Sequence, residues 1–132
     1  MREEIKEIVK YRIEQAEDAL KDAVLLFNSG GGLRSVINRS YYVMFYATLA
    51  LIAAKGMGSS KHSNAISIFD KEYVKTGYFS KEMSKLLHKA FNLRVESDYK
   101  EFNIISRDET SIILEGAKFF LETIKTFLNP LV

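Results

Sequence analysis

The sequence predicts an all-α fold, an antiparallel up-and-down four-helix bundle with one extra short helix, occupying residues 1–132 as a single domain. Three observations lead there. Apolar residues recur at three- and four-residue steps through most of the chain, the spacing that puts them on one face of a helix. One proline, Pro130, and seven glycines leave little material for the turns of a sheet and much for uninterrupted helices. The run from Tyr41 to Ala54 carries no charge in fourteen residues, short of the roughly 20 that a bilayer span needs, and reads as the central helix of a small bundle.

The first helix is expected from about Arg2 to Asn28, with Ile5, Val9, Ile13, Ala16, Leu20, Val24 and Phe27 on its apolar face. Asn28-Ser29-Gly30-Gly31-Gly32 ends it, because glycine accepts the left-handed backbone that closes a helix. These glycines follow a helix and lack the lysine and hydroxyl residue of a phosphate loop, so the turn reading is preferred to phosphate binding. The second helix spans about Leu33 to Lys55 and stops at Gly56. Ser59 and Ser60 offer caps for a short helix over about Lys61 to Lys75, with Ala65, Ile68, Phe69 and Tyr73 on its apolar side. Gly77 ends it, and Ser80 caps the next helix, which buries Met83, Leu86, Leu87, Ala90 and Phe91 and runs to about Ser97. The stretch Asp98 to Phe102 breaks the pattern. Ser106 and Glu109 have capping-box spacing, and the last helix follows with Ile113, Ala117, Phe120, Ile124, Phe127 and Leu128 inward until Asn129-Pro130. The second helix is apolar nearly all round, so it must be covered on several sides by its neighbours or by a second copy, and a symmetric dimer is expected.

With no cysteine the chain has no disulfide framework, thiolate nucleophile or zinc-thiolate cluster, which fits a reducing compartment. The charged, helical start MREEIKEIVK lacks the apolar segment of a signal peptide, so the expected location is the cytoplasm, without a membrane partner. A net charge of +2 makes no general case for nucleic acid. Its layout is uneven, however: no acidic residue lies between Asp22 and Asp70, where Arg34, Arg39, Lys55 and Lys61 stand with His62. Both a buried helix without charges and an anion-attracting surface account for that gap.

The unusual chemistry sits at the start of the second helix. At about 100° per residue Arg39, Tyr42, Val43 and Tyr46 share one side, and Asn38, Tyr41, Tyr42 and Phe45 overlap it. Arg94 is the second anomaly, because it projects from the side of its helix that carries Leu87, Ala90 and Phe91. Asp98, four residues on, has salt-bridge spacing, so a purely structural tie stands beside a binding role. Arg39 and Arg94 together could hold a nucleotide or RNA phosphate, since guanidinium is a planar fork of donors matching phosphate oxygens. Tyr42, Tyr46 and Tyr99 could stack on a base, although a tyrosine stripe is more often core with its hydroxyls at the rim. Of the two histidines, His88 lies about 120° from Arg94 on the same helix, which makes His62 the better partner in a shared site. No metal-ligand constellation is present, and no cofactor is expected.

The segments Asn38 to Tyr46, Lys61-His62-Ser63, Phe69 to Gly77 and Leu93 to Tyr99 resemble the small HEPN-domain proteins of archaea and bacteria. The resemblance covers about Gly30 to Phe102. It implies a homodimeric helical bundle, a nucleotide- or RNA-related role, and a minimal nucleotidyltransferase partner in a toxin–antitoxin-like pair. The implied site is Asn38, Arg39, Tyr42, Arg94, Asp98 and Tyr99, with Arg94 and His62 as catalytic candidates. Ribonucleases of the wider superfamily place a histidine after four to six residues beyond an arginine; after Arg94 those positions hold Tyr99, Lys100 and Glu101. Tyr99 is the residue nearest to the tyrosine that accepts nucleotidyl groups in paired members, at a shifted position. Three readings follow: a nucleotide- or RNA-binding member of such a pair, a metal-independent ribonuclease with His62 as substitute base, and a non-catalytic dimeric interaction module.

Overall fold

A computed structural model describes residues 2–99 and 105–129, apart from the side chains of residues 98 and 99. The described residues form five α-helices: α1 Glu3–Asn28, α2 Leu33–Ala54, α3 His62–Phe69, α4 Lys81–Tyr99 and α5 Arg107–Leu128. No strand occurs among them.

Most boundaries follow from local chemistry. Ser106 Oγ accepts the Glu109 amide at 3.0 Å, and Asp108 and Glu109 place negative charge in the first turn of α5, where the helix dipole favours it. Ser80 Oγ accepts the Met83 amide at 3.3 Å at the start of α4. Gly56, with φ of 72°, closes α2 in the left-handed region that a side chain would resist. Three expectations are corrected. The short helix is α-helical only to Phe69 and widens into a π-helical turn over Asp70–Val74. Its N-cap is Lys61 without a side-chain cap; Ser59 Oγ instead takes the Lys61 amide at 3.2 Å and the Asn64 amide group at 2.9 Å. Helix α4 continues two residues past Ser97, to Tyr99, because the apolar pattern fades there before the backbone hydrogen bonding does.

Helix α2 touches each of the other four helices. Its side chains from Val43 to Ala53 are buried apart from the half-buried Tyr46, and Tyr41 and Met44 are wholly enclosed. At 22 residues α2 has the length and composition to cross a membrane, unlike its shorter uncharged run, yet 78% of its apolar window is buried inside the chain. It occupies the position of a core helix. The neighbours that cover it are α1, α3, α4 and α5, so the apolar circumference of α2 does not itself require a second copy. Phe69, Phe120, Leu87 and Ile113 complete the core, each fully buried and each contributing on the order of 1.5–3 kcal/mol of transfer free energy. Leu86, Phe91 and Ile68, expected inside, are only partly buried, and Phe127, expected on the inner stripe of α5, is 37% exposed. Gly116 sets the approach of α5 to α4, since a Cβ there would stand 2.7 Å from a Leu86 methyl. The Tyr73 hydroxyl donates to the Leu51 carbonyl at 2.6 Å and pins the π-helical turn to α2.

Candidate functional site

Helical spacing on α2 places Asn38, Tyr41, Tyr42 and Phe45 along one side, and the start of α3 and the second half of α4 close over them. His62 is the first residue of α3. Its ring lies flat on Phe45, with centroids 4.0 Å apart and planes 6° from parallel, and meets the edge of Tyr42 at 5.8 Å. The Tyr41 hydroxyl is 2.7 Å from His62 Nδ1. The Arg94 guanidinium stands 5.4 Å from the Tyr41 ring centroid and 5.6 Å from that of Tyr42. Arg39 stands 5.1 Å from Tyr42 and donates from Nε and Nη2 to Asn38 Oδ1 at 3.2 and 3.0 Å. Each cation–π contact is worth about 0.5–1 kcal/mol at partly exposed sites, and together they hold two cations against one tyrosine.

The electrostatics decide the proton positions. Burial pushes the Tyr41 phenol well above its ordinary value of 10.0, an effect that nearby Arg94 partly offsets. Burial and then the positive charge of Arg94 lower His62 below its ordinary 6.5. At neutral pH Tyr41 therefore keeps its proton and His62 is neutral. The Tyr41 hydroxyl and His62 Nδ1 share one hydrogen bond, with the donor set by the imidazole tautomer. Two guanidinium groups around an aromatic floor can bind a phosphate oxygen and stack a base.

The structure thus brings together Asn38, Arg39, Tyr42, Arg94 and His62, the sequence-derived candidates. The side chains of Asp98 and Tyr99 lie outside the described residues; the backbone of both belongs to α4. Sequence reasoning had not assigned Tyr41 or Phe45 to the site, although their four-residue spacing on the face of Asn38 was the available signal. It also missed the surroundings of Asn38 and Arg39, which line a cleft of about 420 Å³ with Arg34, Ser35 and Ser97. A second cluster lies toward the other end of α4. There His88 Nε2 is 2.7 Å from Asp70 Oδ2, and Ser84 Oγ donates to Asp70 Oδ1 at 2.6 Å. Among the described residues no group of three or more His, Cys, Asp or Glu side chains is placed to hold a metal ion.

Comparison with known proteins shows the family of the chain. The profile of the HEPN domain matches residues 9–127. A UPF0332 protein of Thermotoga maritima is 35% identical over 97% of this chain and 96% of its own length. A protein of Methanocaldococcus jannaschii named "Putative toxin" is 30% identical over 100% of this chain and 97% of its own length. A UPF0332 protein of Archaeoglobus fulgidus is 32% identical over 92% of this chain and 95% of its own length.

Proposed function

The chain belongs to the HEPN domain family, and from that premise we propose that it is a cytoplasmic nucleotide- or RNA-binding protein, the toxin-like member of a pair with a minimal nucleotidyltransferase. In this reading residues 1–132 are one domain, an antiparallel up-and-down four-helix bundle with α3 as the additional short helix. The observation that carries it is the placement of Arg39 and Arg94 on one tyrosine, Tyr42, with the His62 ring against the same side chain. The name carried by relatives such as the Methanocaldococcus protein supports the toxin-like part. The partner part rests on the family resemblance, and co-purification with the product of the adjacent reading frame tests it.

A homodimer belongs to the same reading. With α2 covered by its own chain, the exposed apolar side chains open to a second copy include Ile112 and Phe119, two turns apart on α5 at 64% and 59% exposure, and Tyr11 and Leu25 on α1 at 55% and 68%. Light scattering at roughly tens of micromolar should report a dimer, and a monomer there would remove this part of the proposal.

Arg94→Ala should weaken nucleotide and RNA binding by about 1.5–3 kcal/mol, the worth of a charged hydrogen bond, while circular dichroism stays helical. Unchanged affinity would make Arg94 a structural residue. The nearness of His62 to Arg94 favours metal-independent ribonuclease activity as a second reading, since the histidine absent after Arg94 in sequence is present in space. The arginine–histidine spacing argues against it, because no histidine stands four to six residues after Arg94. Purified protein with mixed RNA, with and without chelator, is therefore expected to show no efficient cleavage. Robust cleavage by the parent that disappears in both His62→Ala and Arg94→Ala would establish the ribonuclease and make His62 its proton-transfer group.

A further inference from the structure

The Asp70 cluster forms part of a groove that the preceding reading does not use. The groove, about 700 Å³, runs between the π-helical turn and the first half of α4. Lys71 and Lys75 line it from one side and Lys81 and Lys85 from the other, with Asp70 and Ser84 between them. All four lysines are exposed. Among the described residues none of the four is in an ion pair, whereas Lys55, Lys118 and Lys125 are matched to Glu72, Glu115 and Glu17. The carboxylate that lines the groove is already committed, with one oxygen taken by Ser84 and the other by His88. The neighbouring carboxylates are Glu72, turned to Lys55, and Glu82, exposed on α4 and not part of the lining.

We propose that this lysine groove binds the sugar–phosphate backbone of single-stranded RNA, at a site separate from the Arg39–Arg94 centre. Lys81 and Lys85 stand one turn apart, about 6 Å along α4, and Lys71 and Lys75 face them from the π-helical turn, so the charges form a cationic track and not a point site. Lysine is a flexible point charge that follows a backbone without demanding one geometry, which suits sequence-independent contact with phosphates. The Asp70 bonds to Ser84 and His88 tie the two walls together and hold the groove open at a fixed width. A row of four such cations, beside a carboxylate whose two oxygens are both bonded, matches the evenly spaced charge of a phosphodiester chain. The first turn of α4, which starts at Lys81, adds the positive end of its helix dipole.

The proposal shares with the preceding one only the class of ligand, and the two fail separately. Fluorescently labelled single-stranded RNA of about 12 nucleotides, and AMP as a mononucleotide, would be titrated against the full chain over a range of salt concentrations. The double variants Lys71→Gln/Lys75→Gln and Lys81→Gln/Lys85→Gln are each expected to weaken binding of the oligonucleotide about tenfold at low salt. Each should also flatten the slope of log affinity against log salt by about 1.4, two phosphate contacts' worth, and leave AMP binding intact. Arg94→Ala tests the other centre through AMP. Lys6→Gln/Lys10→Gln on α1 removes the same charge elsewhere and should change neither. Unaltered RNA affinity and slope in the folded groove variants would overturn the proposal, as would an equal effect of the α1 control. Binding of polyglutamate in place of RNA would overturn it in favour of an acidic polypeptide.

Discussion

The chain's two histidines meet opposite surroundings at the two ends of α4. His62, beside Arg94, is stacked on Phe45 and hydrogen-bonded at Nδ1 to the Tyr41 hydroxyl. His88, six residues before Arg94, is half-exposed and bonded to the carboxylate of Asp70. The difference lies in what holds the charge nearby. Beside Arg94 stand the π faces of Tyr41 and Tyr42, which attract a cation through their ring electrons. His88 meets the carboxylate of Asp70, which also accepts the Ser84 hydroxyl and lines an open groove with exposed ammonium groups. The first arrangement fixes donors in place for a phosphate, and the second lays out mobile charge along a track.

The sharpest way to break this contrast is to remove the floor of the aromatic centre. Phe45 is only 6% exposed, and Phe45→Ala should cost about 3–5 kcal/mol of stability. It should also return the His62 titration, followed by NMR, toward the ordinary 6.5 as water enters. A loss below about 1 kcal/mol in urea denaturation would mean that the aromatic shell does not hold the histidine.

A smaller effect comes from pH. The folded state holds His62 below 6.5, so as the pH falls through 6.5 the unfolded chain takes up a proton that the folded chain refuses. The stability associated with neutral His62 is therefore fully present above that value and is lost progressively as the pH drops toward the depressed folded value. The denaturation midpoint should fall between pH 7 and 5, and His62→Gln should remove that part of the fall. An identical pH profile in the variant would contradict the burial of the ring.

The least effect is expected at the other histidine. The His88–Asp70 pair is half and one-third exposed, so His88→Ala should change stability by no more than about 1 kcal/mol. Thermal denaturation showing a larger loss would make the Asp70 cluster a structural centre comparable to the aromatic one.

Short-range chemistry accounts for everything that could be read directly from the chain. Apolar recurrence at three- and four-residue steps, the serines at 80 and 106 and the glycine at 56 specify helices within a few residues of where they stand. The same local geometry put Asn38, Arg39 and Tyr42 on one side of α2, so half of the aromatic centre was legible before any packing was known. The π-helical turn was not legible, because its form is set by contacts such as the Tyr73 bond to Leu51, 22 residues away. The same holds for the chemistry of His62. Its lowered proton affinity comes from burial and then from Arg94 on another helix, and its Nδ1 meets Tyr41, 21 residues before it. The lysine groove likewise exists only because Asp70 reaches Ser84 and His88 across the turn. Periodicity records which face of a helix is apolar, but the free energy of burying that face is nearly non-directional, so which charged groups meet where the faces close was decided by tertiary packing alone.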